Sequence, residues 1–318
     1  MAERSEETKM KILFMGTPDI AAVSLKALIA EGFDVVGAVT QPDKPRGRKQ
    51  VLTPPETKTA ALAAGIPVFQ PERLKNGELK DVLETLKPDL IAVVAYGKIL
   101  PEYVLSFPKY GCVNMHGSLL PKYRGAAPIQ WAVINGDEVT GVTTMKMDKG
   151  MDTGDMLLSK SIEIGRYETG GELFERIAKL GAETLIETIR NIEKITPIPQ
   201  NEAEATHAPM LKKEMAEIDW SMPAPKVLKF IYGMNPWPCA YTHYNGEVIK
   251  IFTCDSSDDE PKAEPGEVLG FEKGKGLAVK CGSGVIYIRE MQAAGSKRMP
   301  AEDYLRGHKI DAGDLFTP

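Results

Sequence analysis

Two hydrophobic periodicities alternate along the first half of the chain. Short apolar runs at 11–15, 33–39 and 89–95 have the length of strands, and the last is apolar at almost every position, as parallel strands covered on both faces are. Between such runs, stretches like 18–31 repeat apolar residues at helical spacing. Strands that alternate with helices to about residue 150 predict an α/β, Rossmann-like domain with a largely parallel sheet.

Local capping signals predict where two of the helices begin. Thr17 has the hydroxyl of an N-cap, and Pro18 suits the first helical position. Thr169 and Glu172 have the spacing of a capping box, in which each side chain binds the other residue's backbone N–H. Apolar residues recur at helical spacing behind this box, so we expect a long helix that closes the first domain near Ile195.

The second half of the chain has a different pattern. Residues 196–206 are polar, proline-bearing and without period, as a linker is. A helix is expected at 223–232, and the short β-prone runs after it predict a small β-barrel. These runs lie at 248–253, 266–269, 277–280 and 285–288. The expected organisation is a disordered leader, a first domain, a linker and a second domain, at 1–9, 10–195, 196–206 and 207–318.

Composition narrows the class of protein. The chain is 43% hydrophobic and 26% charged, like an ordinary globular protein. Its four cysteines lie far apart, so we expect buried free thiols in a reducing compartment. No apolar run suits a membrane helix or a secretory signal, and we expect a cytoplasmic protein. A net charge of −5 means that any contact with nucleic acid needs a local basic patch.

Several common catalytic templates are missing from the sequence. The turn at Gly16 has one glycine where a dinucleotide fingerprint needs three, and neither a phosphate-binding lysine loop nor a G-x-S-x-G elbow occurs. The four histidines share no ligand spacing, so we expect no metal. The run DKGMDTGD from Asp148 could suggest calcium, but glycines interrupt its ligand positions, and a tight turn fits it better.

The run GCVNMHGSLLPKYRG from Gly111 carries the most specific chemistry. If its first residues are extended, Asn114 and His116 lie on one face of a strand, at its carboxyl end. Open α/β sheets bind their ligands at that edge. An Asn-x-His pair alone is equally compatible with a structural, hydrogen-bonded pair.

Seven motifs together resemble the methionyl-tRNA formyltransferase family. They are GTPDIA, TQPDKPRGR, AYGKILP, the run from Gly111, MDTGDM, and then IDWS and NPWP beyond the linker. The resemblance implies transfer of a formyl group from 10-formyltetrahydrofolate to the α-amino group of methionine on the initiator tRNA. It also implies an OB-like, tRNA-binding β-barrel as the second domain. It implies no metal and no protein partner. Cys239 stands where the family commonly has glycine after NPWP.

The resemblance assigns the catalytic set to Asn114, His116 and Asp152. An amine that attacks a formyl carbon creates an oxyanion, and preorganised donors at that oxygen are usually the largest catalytic factor. Asn114 Nδ2 and a ring nitrogen of His116 are suitable donors. A carboxylate can hold the imidazole so that the pair relays a proton. Whether Asp148 or Asp152 is the closer partner of His116 stays open at this point.

The resemblance also assigns two segments to the folate cleft. The flat pterin is expected to lie against backbone groups of the AYGKILP segment, and a second segment is expected to line the cleft shared with the other substrate. Read from pattern alone, the first could equally be a strand end with its turn, and the second a loop stopped by proline. The residues so assigned are Ala95, Tyr96, Gly97, Lys98, Ile99, Leu100, Ser118, Leu119, Leu120 and Pro121.

A basic loop follows the second strand. Residues 41–58 carry more Lys and Arg than Asp and Glu although the whole protein is acidic; such runs are often only solvated loops. The resemblance implies that this loop enters the major groove at the end of the tRNA acceptor stem, with Arg48 as its discriminating arginine between Arg46 and Lys49. The second domain is slightly acidic, so its RNA surface would need scattered residues, namely Lys212, Lys213, Lys297, Arg298 and Lys309.

Three other functions compete with this interpretation. A sibling enzyme could hydrolyse 10-formyltetrahydrofolate with the same three residues, and the basic loop favours a tRNA substrate over water. A sugar-nucleotide formyltransferase would be expected to carry a dehydrogenase module with its own glycine fingerprint, and the sequence has no such segment. A non-enzymatic RNA-binding protein would leave Asn114, His116 and Asp152 without a task.

Overall fold

The computed structural model describes residues 9–47 and 49–317, and of Arg46 the backbone only. The expected leader, apart from its last residue, therefore lies outside the described residues. The strands in chain order are β1 (Lys11–Gly16), β2 (Asp34–Val39), β3 (Lys44–Arg46), β4 (Val51–Thr53), β5 (Val68–Phe69), β6 (Leu90–Val94), β7 (Cys112–His116), β8 (Arg124–Gly125), β9 (Val139–Lys146), β10 (Met156–Glu163), β11 (His207–Ala208), β12 (Tyr241–Tyr244), β13 (Glu247–Ser257), β14 (Val268–Glu272), β15 (Gly276–Lys280), β16 (Val285–Ala293) and β17 (Met299–Pro300).

The helices are mostly short, apart from one of 21 residues. They are α1 (Asp19–Ala30), α2 (Glu56–Ala63), α3 (Lys80–Leu86), α4 (Glu102–Leu105), α5 (Pro128–Asn135), α6 (Gly170–Arg190), α7 (Ala224–Gly233) and α8 (Ala301–Gly307), with 3₁₀ turns at Leu74–Asn76, Glu202–Glu204 and Lys213–Ala216. None of the helices in the described part of the chain is long and apolar enough to cross a membrane.

The chain divides into two compact units. Unit 1 contains residues 1–125, 141–162 and 175–207, and unit 2 contains 126–140, 163–174 and 208–318. The segment expected to be a linker, 196–206, is therefore grouped with unit 1. The domain boundaries drawn from the sequence stay a prediction.

Unit 1 is built on a seven-stranded sheet in the order β10-β9-β7-β6-β1-β2-β5. The β1–β2, β1–β6, β2–β5 and β6–β7 pairs are parallel, and β9 runs antiparallel to β7. Every residue of β6 is buried, as its continuous apolar run requires. The largely parallel, Rossmann-like sheet predicted from the sequence is confirmed.

Unit 2 contains an antiparallel sheet in the order β12-β13-β16-β15-β14, with β17 beside β16. The end of the chain links the two edge strands of this sheet. Phe316 N–H donates to the carbonyl of Gly266 before β14, and Thr317 exchanges two backbone hydrogen bonds with His243 of β12. The result is a half-barrel closed by the C-terminal segment, so the predicted β-barrel class is confirmed.

The capping predictions have different outcomes. Thr169 and Glu172 form the predicted box, with N–H to side-chain distances of 2.9 and 3.1 Å. The prediction for Thr17 is wrong: Pro18 is the N-cap of α1 without a side-chain bond, and the Thr17 hydroxyl donates to the carbonyl of Tyr96. The long helix α6 ends at Arg190, five residues before the predicted end.

Candidate active site

Asn114 and His116 lie at the carboxyl end of β7, an interior strand of the sheet of unit 1. Asn114 is paired with Val93 of β6 and His116 with Thr143 of β9. The residue between them, Met115, points to the opposite face, where its side chain meets the backbone of α6 at Gly181. Asn114 and His116 are 8% and 6% exposed. The strand therefore places both on one face, as the alternation of strand side chains predicts.

The hydrogen bonds of His116 define which ring nitrogen can act on a substrate. Nε2 lies 2.9 Å from the carbonyl oxygen of Tyr123, and because a carbonyl only accepts, Nε2 must carry the hydrogen. In the neutral ring Nδ1 then holds the free lone pair. Nδ1 is 3.8 Å from Oδ2 of Asp152, beyond hydrogen-bonding distance but close enough to stabilise an imidazolium. His116 is thus arranged as a proton acceptor, and neither of its nitrogens is an obvious oxyanion donor in the neutral state.

Asp152, and not Asp148, is the carboxylate that faces His116. Oδ2 of Asp152 accepts a hydrogen bond from the backbone N–H of Gly125 at 2.8 Å. Asp148 instead accepts bonds from Gly150 N–H and the Thr153 hydroxyl at 2.9 and 2.7 Å. That arrangement is the tight Asp/Gly turn expected from the sequence. The structure therefore decides between the two carboxylates that the sequence left open.

The Asn114 side chain has no hydrogen-bond partner among residues 9–47 and 49–317. Its nitrogen and oxygen are not among the fully buried polar atoms without a partner, which in the described residues are the Tyr96 hydroxyl and Nδ1 of His243, so the carboxamide reaches the open side of the strand end. A structural Asn-x-His pair would have been satisfied within the fold. The Asn114 carboxamide is therefore open to a polar group from outside the protein.

The thiol on this face of β7 does not offer nucleophilic chemistry at this position. Cys112 lies on the same face of β7, but burial raises the pKa of its thiol to about 12, so it stays a neutral thiol instead of a nucleophilic thiolate. All four cysteines are free and buried, as predicted. Among the described residues, no group of three or more His, Cys, Asp and Glu side chains could hold a metal ion.

The AYGKILP segment follows β6, the parallel neighbour of β7. Tyr96 and Leu100 point into the core at 2% and 4% exposure, and the Lys98 ammonium donates to the carbonyls of Pro71 and Glu72. The segment therefore offers a ligand its main chain and exposed positions, not these three side chains. The exposed members are Ala95, Gly97 and Ile99, the first two with left-handed φ of 44° and 78°.

The second predicted folate segment, residues 118–121, is held by its own hydrogen bonds. The buried Ser118 hydroxyl donates to the Lys122 carbonyl at 2.6 Å. The Thr143 hydroxyl donates to the Ser118 carbonyl and accepts from Leu120 N–H. The peptide bond between Leu120 and Pro121 is cis, and Leu119 is half-buried. The Ser118 hydroxyl is therefore engaged within the loop, and Leu120 and Pro121 are buried.

The predicted tRNA loop is a β-hairpin of β3 and β4. Arg48 lies outside the described residues, as does the side chain of Arg46, whereas Lys49 is exposed. Beyond β4, Lys58 donates to both oxygens of Asp43 and to Gln70 at 2.8–2.9 Å. The charge of Lys58 is thus neutralised within the fold, although it was counted in the basic loop.

Two of the basic residues predicted for an RNA surface of unit 2 have acidic partners. Arg298 pairs with Glu290, and Lys309 pairs with Asp311. Sequence reasoning missed a cleft of about 470 Å³ whose wall carries three cations and one acid. Burial lowers the pKa of its Lys229, and the nearby charge of Arg166 lowers it further. No motif could indicate this cleft, because its charged residues come from separate segments: Arg166, Lys226, Lys229 and Asp258.

A second missed feature is the buried Arg124, which is 4% exposed. Its guanidinium donates to Glu202 at 2.7 and 2.9 Å and to Gln200 at 2.8 and 3.0 Å. Hydrogen bonding to Glu202 raises the pKa of Arg124, and the negative charge of Asp152 adds to that rise. The only sequence signal was a lone arginine at the end of the run from Gly111.

Comparison with known proteins shows the family of this chain. A family model described as "Formyl transferase" matches residues 10–189, and one described as "Formyl transferase, C-terminal domain" matches 210–309. Methionyl-tRNA formyltransferases of Alkaliphilus oremlandii and Acetivibrio thermocellus are 48% and 49% identical to this chain. In each case the match covers 96% of this chain and 99% of the relative.

Solved structures share the fold at lower identity. An N-formyltransferase from Helicobacter canadensis, solved with folinic acid and dTDP-3-aminofucose, has a TM-score of 0.66 at 17% identity, covering 88% of this chain and 99% of that one. HypX from Aquifex aeolicus in complex with tetrahydrofolic acid has a TM-score of 0.63 at 19% identity; 98% of this chain matches 51% of that chain, about half its length. With near-complete relatives at 44–50% identity, the chain belongs to the methionyl-tRNA formyltransferase family.

Proposed function

We propose that this protein transfers a formyl group from 10-formyltetrahydrofolate to the α-amino group of methionine on the initiator tRNA. The observation that carries the chemistry is the carboxamide of Asn114, which has no hydrogen-bond partner in the described part of the chain and lies on the same face of β7 as His116, at 8% exposure. Family membership supports the methionyl-tRNA substrate and the use of a folate. We propose in particular that the folate is 10-formyltetrahydrofolate and that the tRNA is the initiator tRNA. The proposed substrate, a charged initiator tRNA, is used by ribosomes in the cytoplasm, so we also propose a cytoplasmic location.

In the first step, the amine nitrogen forms a bond to the formyl carbon and the carbonyl oxygen takes up the negative charge. Asn114 Nδ2 is the donor best placed to bind that oxygen, because nothing in the described fold competes for it. A donor preorganised in a buried site stabilises the developing charge without reorganising. The free α-amino group has a pKa of about 7.7–8.0, so part of the substrate is already a neutral nucleophile at pH 7.

In the second step, the attacking nitrogen loses a proton and the folate nitrogen gains one as its bond to the formyl carbon breaks. Nδ1 of His116 can accept the first proton because its lone pair is free. The resulting imidazolium faces Asp152 at 3.8 Å, which stabilises the positive charge until the proton passes to the leaving nitrogen. The pair thus returns to its starting state after each turnover.

The residues at the edge of the sheet fit a flat, hydrogen-bonding ring. The exposed main chain at Ala95 and Gly97 follows β6, the strand that pairs with β7, and the exposed side chain of Ile99 gives the same segment an apolar surface. A pterin needs donors and acceptors along its edge together with apolar contact on its face. We propose that this segment and residues 118–121 hold the folate.

The direct test is a formyl-transfer assay with methionyl initiator tRNA and 10-formyltetrahydrofolate, with formylmethionine quantified after release from the tRNA. We expect product only when both substrates are present. A matched reaction without tRNA measures formate release. Formate produced at a similar rate without tRNA would make the protein a hydrolase, and no folate binding in a titration would leave an RNA-binding protein without this activity.

A further inference from the structure

The segment expected to be a linker makes a specific contact with the candidate active site. Gln200 lies between Arg124 and the loop that carries Asp152. Its Oε1 accepts hydrogen bonds from Nε and Nη2 of Arg124 at 3.0 and 2.8 Å. Its Nε2 donates to the backbone carbonyls of Asp152 and Gly154, both at 2.8 Å. One amide thus uses all its polar capacity in a single bridge.

Hydrogen-bonding chemistry fixes the orientation of this amide. Arg124 has only donors, so the atom of Gln200 that faces it must be the oxygen. The two carbonyls on the other side only accept, so the atom that faces them must be the NH₂ group. Glutamine is the one side chain of this shape that has both an acceptor and a double donor at its end. A glutamate could replace it towards Arg124 but not towards the loop.

The loop at 152–154 that Gln200 bridges has a backbone conformation that is unfavourable for a residue other than glycine. Asp152 has φ of +56°, in the left-handed region that few residues other than glycine occupy. On the far side, Gly154 lies so close to the Lys146 carbonyl that an added Cβ would be 1.8 Å from its oxygen. The Gln200 amide meets the loop at the carbonyls of these same two residues, 152 and 154. The backbone conformation of Asp152 in turn determines where its carboxylate lies relative to His116.

We propose that Gln200, oriented by Arg124, is a positioning residue that holds the Asp152 carboxylate against His116, so that the presumed linker segment is part of the catalytic apparatus. This inference rests on the proposed function, in which Asp152 supports proton transfer by His116. Gln200 itself touches no reacting atom. Its effect is therefore on the chemical step and not on substrate binding.

The kinetic test compares Gln200→Ala and Gln200→Glu with Asn201→Ala. Asn201 is the adjacent, exposed amide of the same segment, and its side chain forms hydrogen bonds within that segment, to Glu204 and Ala203. We expect both Gln200 variants to lower kcat for formyl transfer about 10- to 100-fold, the typical cost of a misplaced catalytic group. KM for both substrates should stay within about twofold, because the binding surfaces are unchanged. Asn201→Ala should match wild type.

Gln200→Glu separates positioning from simple packing. Its carboxylate still accepts from Arg124 but has no donor for the carbonyls of Asp152 and Gly154. If Gln200 only satisfied the buried arginine, Gln200→Glu would keep wild-type kcat, and the inference would be wrong. Thermal denaturation of each variant shows whether a loss of kcat comes from unfolding.

A readout that needs no activity is amide hydrogen exchange at Gly125, whose N–H donates to Oδ2 of Asp152 at 2.8 Å. We expect this amide to exchange at least about fivefold faster in Gln200→Glu than in wild type or Asn201→Ala, because the carboxylate is no longer held. Unchanged protection would overturn the inference even if kcat fell. If the wild type formylated no tRNA, the proposed function would fail, while this exchange experiment would still decide whether Gln200 holds Asp152.

Discussion

At the scale of single residues, the hydrogen bonds already made within the fold determine which atoms remain for a substrate. Nε2 of His116 is occupied by the Tyr123 carbonyl, which leaves Nδ1 as the acceptor. Ser118 and Lys98 were assigned to folate from the sequence, yet the Ser118 hydroxyl and the Lys98 ammonium are bound to backbone carbonyls. Asn114 has no such partner in the described part of the chain. We therefore expect the Asn114 amide to be the polar group that binds the substrate.

We expect Asn114→Ala and His116→Ala each to lower kcat for formyl transfer at least about a hundredfold, the usual effect of losing an oxyanion donor or a proton shuttle. Asn114→Ala should barely change stability, because the amide has no partner to lose. The measurement is steady-state kinetics together with thermal denaturation. Met115→Leu is the matched control, because Met115 lies between the two residues but faces α6. Near-normal turnover in either variant would remove that residue from the mechanism.

Asp152→Asn tests the charge of the carboxylate apart from its shape. The amide oxygen can still accept from Gly125 N–H, so the loop should keep its conformation. A neutral amide cannot stabilise an imidazolium, and kcat should therefore fall while folate affinity changes less than about twofold. The measurements are kcat and a fluorescence titration with folate. Lost folate binding in a folded variant would instead make Asp152 a ligand-positioning residue.

At the scale of helices and strands, the sequence predicts what is decided locally. The capping box at Thr169 and Glu172 needs only its own two residues and one turn of helix, and it was predicted correctly. The Thr17 hydroxyl instead bonds to Tyr96, 79 residues away, and no local pattern indicates that contact. The Gln200 bridge to Arg124 spans 76 residues and was missed for the same reason: its partner is determined by the tertiary fold.

The C-terminal segment that closes the half-barrel was also not predicted. Its central residue, Phe316, is 1% exposed and lies 6.1 Å from Trp220 and 5.7 Å from Tyr244, measured between ring centroids. The backbone of Phe316 bonds to Gly266 beside edge strand β14, and the backbone of Thr317 bonds to His243 of edge strand β12. Two edge strands that look independent in the sequence are therefore joined by residues far from both. Aromatic packing fixes that segment in place.

We expect Phe316→Ala to lower the free energy of unfolding of unit 2 by about 3–5 kcal/mol, as large-to-small changes of buried aromatic residues do. The measurement is urea denaturation followed by tryptophan fluorescence. Leu315→Ala is the control, because the side chain of Leu315, next to Phe316, is 46% exposed. We expect this substitution to change the free energy of unfolding by less than about 0.5 kcal/mol. Equal effects of the two substitutions would mean that the segment does not depend on its buried ring.

At the scale of the whole molecule, an acidic protein has to bind a polyanion. The net charge of −5 opposes non-specific attraction, so binding must rely on local cations. The β3–β4 hairpin is one such region, with Lys49 exposed and Val51 and Leu52 exposed at 59% and 64%. Exposed apolar residues beside cations suit contact with bases as well as phosphates. The sequence identified this hairpin but not the basic cleft of unit 2.

Arg48→Ala tests whether the hairpin reads the acceptor end of the tRNA. We expect a lower kcat/KM for charged initiator tRNA with unchanged folate affinity, because the hairpin is not needed to hold the pterin. The planar guanidinium of arginine can engage a base or a phosphate with two parallel bonds. The measurement is formyl transfer to initiator and to elongator methionyl-tRNA, each at two salt concentrations. Lys58→Ala is the matched control, because Lys58 already pairs with Asp43. We expect this substitution to lower kcat/KM less than Arg48→Ala does.

The two tRNAs and two salt concentrations separate the possible roles of Arg48. A phosphate contact alone would weaken both tRNAs alike and reduce the salt slope by about one unit. A recognition contact would reduce the preference for the initiator tRNA by roughly 1–3 kcal/mol. Equal activity of wild type and Arg48→Ala on both tRNAs would show that the hairpin is only a solvated charged loop. Discrimination of the initiator tRNA would then have to reside elsewhere, and the cations of the cleft at Arg166 and Lys229 would be the next residues to substitute.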